Sequence, residues 1–449
     1  MKSIENCFLS IFYALFFSFF CNSCYPRKRK NPMADWSQLP KELLGLIAER
    51  LNSPFYQLRF RSVCSSWRSS FSPRPLLRLP GRFPFIQGDG ITDSTWGFHL
   101  SRRTIFLIRS PDARSQTPPN SSWLVKVEEI HPSRMRLLNP LSRVQLKPLP
   151  TSFPNAMDLT YFNVLELGQE YVLPFGDSFG DLGNLYMEKV AFMSLGCGEI
   201  NEEFLLLTIH VSGKLAFFKS GDKRWTIIDD MPSYDDVILF QREFYAVDDT
   251  GRTVLLGLSL DVSLVAESVY GGDKKFLVES NGELLLVDMY LSEGYVDVGD
   301  GFDIDVYEVF DEYVGERTVR FKVFRLDIEG KRWVEVDSLR DQVLFLGDDC
   351  AFSASMAELS LSGCIKGNCV LFPDNFFYMR GEGGSSVSDG VFKGPDICVF
   401  DLDNDSIALL GDCPEYSRLF WPPPDLVVLT NLTIDVKVLG GSSMKRNLI

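Results

Sequence analysis

The stretch Phe321-Lys-Val-Phe-Arg-Leu-Asp-Ile-Glu-Gly-Lys-Arg-Trp-Val-Glu-Val-Asp337 decides the fold of most of this chain. Phe321 to Leu326 reads as a strand, Ile328-Glu-Gly330 as a turn, and Lys331-Arg-Trp333 as the lead into a second strand. A copy stands earlier, in Ser220-Gly-Asp-Lys-Arg-Trp225-Thr-Ile-Ile-Asp229, preceded by the strand-like Leu215 to Phe218. A Trp at one place in repeated hairpins is a packing device of propeller blades, where small sheets stack around an axis.

The same pattern extends on both sides. Trp123 to Ile130 pairs with Met135 to Leu138, and Leu205 to Val211 turns at Ser212-Gly213 into Lys214 to Lys219. Glu243 to Asp248 turns into Thr253 to Leu256, and Phe276 to Val278 turns at Ser280-Asn281-Gly282 into Glu283 to Val287. Ile397 to Phe400 runs into the Asp/Asn-rich turn Asp401 to Asp405. The expected fold class is therefore mainly β, a short helical segment followed by a β-propeller over residues 73–430. At roughly 45–50 residues per blade this allows six to eight blades. A pair of large β-sandwiches is the alternative architecture.

Residues 35–72 read DWSQLPKELLGLIAERLNSPFYQLRFRSVCSSWRSSFS and obey a different period. Pro40 suits the first position of a helix and Glu42 its first turn. Leu39, Leu43, Leu44, Ile47, Ala48 and Leu51 then recur at three- and four-residue intervals until Asn52-Ser53-Pro54 stops the helix. A second helix is expected over Phe55 to Phe60 and a third over Arg61 to Arg68. So small a helical cluster cannot bury enough surface to be secure alone, so its stripes should finish burying themselves on another protein.

From Leu39 to Arg68 the pattern LPxELLxxIxxxL…LxxRxVCxxWR resembles the F-box motif. That resemblance implies docking on a Skp-type adaptor and, through it, on a cullin–RING ubiquitin ligase. The matching positions, and so the implied adaptor-binding residues, are Leu39, Pro40, Glu42, Leu43, Ile47, Leu51, Val63, Cys64, Trp67 and Arg68. Trp67 is expected to serve the internal core as much as the contact surface. The body is similar to a plant F-box/kelch-like family whose C-terminal domain, formerly of unknown function, is taken to be a β-propeller. Phe321 to Asp337, Val343 to Asp349, Gly363 to Phe372 and Trp421-Pro-Pro-Pro424 carry that likeness. It implies a propeller that selects an unidentified target protein for ubiquitination.

Formal net charge is −15, of which residues 1–32 contribute +4 and residues 33–72 contribute +2, leaving −21 for 73–449. A body that acidic repels phosphate backbones, so no nucleic-acid partner is expected, although an acidic face could steer a basic one. The ten cysteines form no dense framework of pairs, and those of the body read as reduced and buried. Cys21-x-x-Cys24 is half of a zinc spacing without a second half.

Phe8 to Cys21 is almost wholly apolar, followed by the basic Arg27 to Lys30. Its length suits a signal-peptide core better than a span of roughly 20 residues, yet the charge lies on the wrong side for a signal. Three readings follow: an upstream extension to a chain that starts at Met33, a membrane contact through residues 8–21, or a secretory signal. An anchored chain would face the cytosol by the positive-inside rule. Otherwise the cytoplasm, the nucleus or both are expected. The domain plan is thus 1–32 extension, 33–72 F-box, 73–430 propeller and 431–449 tail.

No catalytic group, cofactor or metal is expected. His99, His131 and His210 fall in no triad-like or metal-ligand motif. Asp297 to Asp305 is acidic but out of register for an EF-hand, and reads as a solvated hairpin. Gly176 to Gly183 and Gly381 to Ser386 lack the Lys-Ser/Thr of a phosphate loop. The competing class is a propeller hydrolase carrying the helices as a cap, since paired carboxylates could serve glycoside chemistry.

Overall fold

The computed structural model describes residues 39–51, 54–71, 83–84, 100–109, 122–131, 134–142, 162–173, 188–195, 203–210, 212–228, 233–295, 314–347, 349–359, 366–373 and 397–420. The apolar and basic segments before Met33, His99, the acidic stretch 297–305, both Gly-rich loops, residues 363 and 421–424 and the tail 431–449 lie outside them. Among the described residues no helix is long and apolar enough to cross a membrane. The chain divides into two compact units, Met1–Arg74 and Pro75–Ile449.

The first unit holds α1 (Lys41–Glu49), α2 (Pro54–Ser62) and α3 (Ser65–Ser70). Pro40 is not the first helical residue, as expected, but the extended residue before it, at φ −55° and ψ 142°. Its carbonyl accepts the first helical bond, from Leu44 N–H at 3.1 Å. The first helix ends before Asn52-Ser53-Pro54, as expected, and Pro54 itself starts the next: proline tolerates the first turn because its missing N–H has no helical partner there anyway. Arg61 and Ser62 belong to α2 rather than to the third helix. The break falls at Val63-Cys64, where Cys64 is extended and accepts the Arg68 N–H at 3.0 Å. Leu44, Ala48, Leu51, Phe60 and Trp67 form the buried centre, with the Phe60 and Trp67 rings 4.7 Å apart.

Among the described residues the second unit contains four sheets. The first has eight strands: β1 (Ser101–Arg109), β2 (Ser122–His131), β3 (Arg134–Leu138), β4 (Asn163–Leu173), β5 (Glu188–Ser194), β6 (Phe204–Ile209), β7 (Leu215–Lys219) and β8 (Thr226–Ile228), in the order β3-β2-β1-β4-β5-β6-β7-β8. Only Tyr171 to Leu173 and Val190 to Glu188 join β4 to β5, so this sheet is two four-stranded halves sharing a short ladder. The second sheet is β9 (Tyr234–Phe240), β10 (Glu243–Asp248), β11 (Thr253–Leu256) and β12 (Val262–Ala266); the third is β13 (Lys274–Ser280), β14 (Glu283–Tyr295), β15 (Val314–Asp327) and β16 (Arg332–Glu335). The fourth comprises β17 (Gln342–Leu346), β18 (Ala351–Ser355), β19 (Cys369–Pro373), β20 (Ile397–Asp401) and β21 (Ser406–Leu409). Short helices α4 (Met356–Leu359) and α5 (Pro414–Ser417) accompany it.

These sheets pack face to face in succession, which distinguishes a propeller from a pair of sandwiches. Met193, Leu207 and Phe217 of the β5–β8 half meet Val237, Phe244 and Val254 of the second sheet. Tyr245 and Val247 of the second meet Leu284, Leu286 and Phe324 of the third. Leu285, Val287 and Phe321 of the third meet Leu344, Val370 and Phe400 of the fourth. Val343, Phe345 and Leu371 of the fourth then meet Ile105, Leu107 and Leu124 of the β1–β4 half, so the circuit closes. In β14 alternate residues serve opposite neighbours, as period-2 geometry requires of a strand buried on both faces.

The repeated Trp does what its spacing suggests. Trp333 is buried between the second and third sheets and donates its indole N–H to Gly251 O and Thr253 Oγ1, both at 3.1 Å. Trp225 is buried against Phe218 and Phe83 and donates to Pro84 O at 2.8 Å. The two turns differ in detail, because the left-handed residue is Gly221 (φ 91°) in one and Lys331 (φ 48°) in the other. Among the described strands two pairings lie outside the hairpin pattern: β1 pairs with β4, antiparallel, and β17 with β19, parallel.

Candidate functional site

The ten residues singled out in the helical unit separate by burial. Pro40, Glu42 and Leu43 are exposed; Leu39, Ile47, Val63 and Cys64 are half-buried; Leu51 and Trp67 are buried. Leu39, Ile47, Val63 and Cys64 pack against the buried centre with one side, which leaves their remaining surface open. Leu51 and Trp67 are therefore the unit's own core. Arg68 is exposed and holds a corner: its Nε donates to Arg61 O at 3.3 Å, while Arg61 Nη1 donates back to Arg68 O at 3.1 Å. Gln57 Nε2 donates to Leu51 O at 2.8 Å, bracing the end of α1 against α2.

Leu46 was not among the expected contacts, yet it is the more exposed of two outward leucines, 55% against 46% for Leu43. The pair sits at i, i+3 and so shares one face of α1. Counting three- and four-residue steps from Leu44 follows the buried stripe and passes over this second one. Glu42 and Arg50 border the face and are exposed. An apolar ridge bordered by both signs of charge, on so small a core, suits a partner that offers an apolar groove.

Within the propeller, His210 Nδ1 lies 2.7 Å from Ser212 Oγ, but Ser212 N–H also points to that nitrogen at 3.3 Å, so the pair belongs to a local turn. Glu170, Asp349 and Cys350 converge with potential ligand atoms within 4.8 Å. Lys126 Nζ stands among them, 2.9 Å from Glu170 Oε1, 3.4 Å from Asp349 Oδ1 and 3.6 Å from Cys350 Sγ. The chain's own ammonium fills the place a metal cation would take. Burial pushes the Glu170 carboxyl up and the Cys350 thiol well up, which disfavours the thiolate a metal would need. A cavity of about 410 Å³ opens between the third and fourth sheets, lined in part by Ser280, Glu283, Arg325, Leu339, Arg340 and Gln342. Its lining carries both signs of charge around a small apolar floor.

Residues 36–79 match the F-box domain, and residues 97–401 match the family described as the KIB1-4 beta-propeller. The F-box protein SKIP23 of Arabidopsis thaliana is 46% identical over 400 residues, covering 87% of this chain and 95% of that protein. F-box protein At2g17036 of the same plant is 36% identical over 410 residues, covering 90% and 97%. Putative F-box/kelch-repeat protein At5g24040, also from Arabidopsis thaliana, is 28% identical over 408 residues, covering 88% and 99%.

Proposed function

The chain belongs to the plant F-box proteins that carry a KIB1-4 β-propeller, and from that premise we propose that it is the substrate-recognition subunit of a Skp–cullin–F-box ubiquitin ligase. In this reading residues 33–72 dock on the adaptor and residues 73–430 hold the target. The observation that carries it is the exposed Leu43–Leu46 ridge beside a core too small to use it. The subunit needs no catalytic group, because activation and transfer of ubiquitin belong to the partner subunits. It would act in the cytoplasm, the nucleus or both. Leu39, Pro40, Glu42, Ile47, Val63 and Cys64 would contribute contact at the margin, and Trp67, Leu51 and Arg68 would act by shaping the unit.

The test is co-purification of the full chain with a Skp-type adaptor. Leu43→Asp plus Leu46→Asp places two charges on exposed positions, so the adaptor should be lost while the melting temperature barely moves. Leu44→Ala should instead destabilise the helical unit by about 2–5 kcal/mol, because it opens a cavity at a fully buried site. Undiminished adaptor binding by the double aspartate variant would exclude this face. Target engagement by the propeller is tested separately, by proximity labelling that depends on an intact F-box.

A further inference from the structure

The circuit of sheets closes where the last meets the first, and a group of buried charges spans that seam. Arg103 lies on β1, Lys126 and Glu128 on β2, and Glu170 on β4. Asp349 comes from the tight turn between β17 and β18, 246 residues from Arg103 in sequence. Side-chain exposure is 3% for Arg103, 0% for Lys126 and Asp349, 8% for Glu128 and 6% for Glu170. Arg103 Nε bonds Glu128 Oε1 at 2.9 Å, and its Nη1 makes a short contact with Asp349 Oδ2. Lys126 reaches Glu170 at 2.9 Å and Asp349 at 3.4 Å. Arg136, at the rim, adds a contact of 3.5 Å to Glu128.

Arg103 and Lys126 thus each bridge a carboxylate of their own sheet and Asp349 of the far sheet. Parting the seam removes one buried ion pair from each of these two cations and both of those pairs from Asp349. Breaking a buried pair is costly, because each ion has already given up its water. The geometry around the turn leaves little slack. A Cβ on Gly347 would come within 2.6 Å of Leu141 O, so only glycine lets the turn approach. Cys350 Sγ donates to Pro140 O at 3.4 Å, and Leu124 N–H donates to Leu419 O at 2.6 Å.

We propose that Arg103, Lys126 and Asp349 form an ionic clasp that makes closure of the propeller all-or-none. An apolar seam alone tolerates partial sliding, since apolar contact is non-directional. Buried ion pairs that cross the seam do not, since their contacts are directional. Closure then fixes register at the seam and holds the two ends of the target-binding domain as one unit.

Native-state hydrogen exchange on the full chain, bound to its adaptor if required for solubility, tests this. In the wild-type protein the amides of β1, β2, β17 and β18 should share one opening equilibrium despite their separation in sequence. Asp349→Asn should speed exchange in those four strands together by about 100-fold while β10 and β11 stay within about 3-fold. Independent protection of β1–β2 and β17–β18 in the wild type would overturn the proposal, as would an equal response of every sheet to Asp349→Asn. The wild-type measurement decides even where the variant fails to fold.

Discussion

Trp225 and Trp333 each combine a large apolar ring with one donor that must be satisfied once buried, and each finds a carbonyl on another segment. The bond is thus also a tie between neighbours. Trp333→Phe keeps most of the ring and removes the donor, leaving Gly251 O with one bond fewer beside a fully buried Thr253. We expect a loss of about 1–2 kcal/mol, read as a lower denaturation midpoint in urea with an unchanged slope. At this scale the sequence was informative about the buried Trp and less so about the surface. The Lys-Arg-Trp spacing announced the packing role. Leu46 stayed hidden because a helix of nine residues carries two apolar stripes, and only the one facing inward has enough members to be noticed. Arg61 and Gln57 were likewise illegible, since their roles lie in bonds to carbonyls whose positions depend on the corner between helices.

The edge strands β9 and β13 are stitched by carboxylates rather than by a ladder. Asp236 Oδ2 accepts the Leu277 N–H at 2.8 Å while its Oδ1 accepts from Lys189 of β5 at 2.7 Å, so one side chain joins three strands of three different stacks. Asp235 accepts the Lys275 N–H at 2.9 Å, and desolvation raises its carboxyl to about 6 against the lowering effect of that bond. The folded chain therefore holds this proton more tightly than the unfolded chain. Its contribution to stability is greatest below about pH 4 and is lost as pH rises toward 6. Asp235→Asn keeps an acceptor and removes the titration. Melting temperature measured across pH 4–7 should lose part of its downward slope in the variant. Strand existence was legible from turn residues in most hairpins: β10 and β11 fall on their expected bounds. The parallel β17–β19 pair was not, because nothing local distinguishes a strand that pairs with its neighbour from one that skips it.

For the whole molecule, the propeller followed from repeated hairpin chemistry, but the way it closes did not. Arg103 and Asp349 have no pattern that links them, and in sequence each reads as an ordinary surface charge. The segment after β21 completes the same seam: Tyr416, Leu419 and Phe420 are buried in the cluster shared by the first and last sheets. Truncation after Asp412 should therefore leave the F-box unit intact while the propeller binds an apolar dye and is digested faster between the F-box and β5. Limited proteolysis with mass mapping checks this, and a propeller that remains resistant would show the seam to be self-sufficient without its tail.

The buried lysines bear on how such a subunit is itself consumed. Lys126 and Lys275 have no exposed side chain, the second paired with Asp288 at 2.7 Å, whereas Lys41, Lys219, Lys223, Lys274, Lys331 and Lys366 reach solvent. A receptor working beside a conjugating enzyme risks being tagged on its own amines, and Lys126 and Lys275 cannot serve while the fold is intact. A diglycine remnant on Lys126 or Lys275 in material taken from cells would mark molecules that had opened before they were tagged, separating turnover of damaged copies from turnover of working ones.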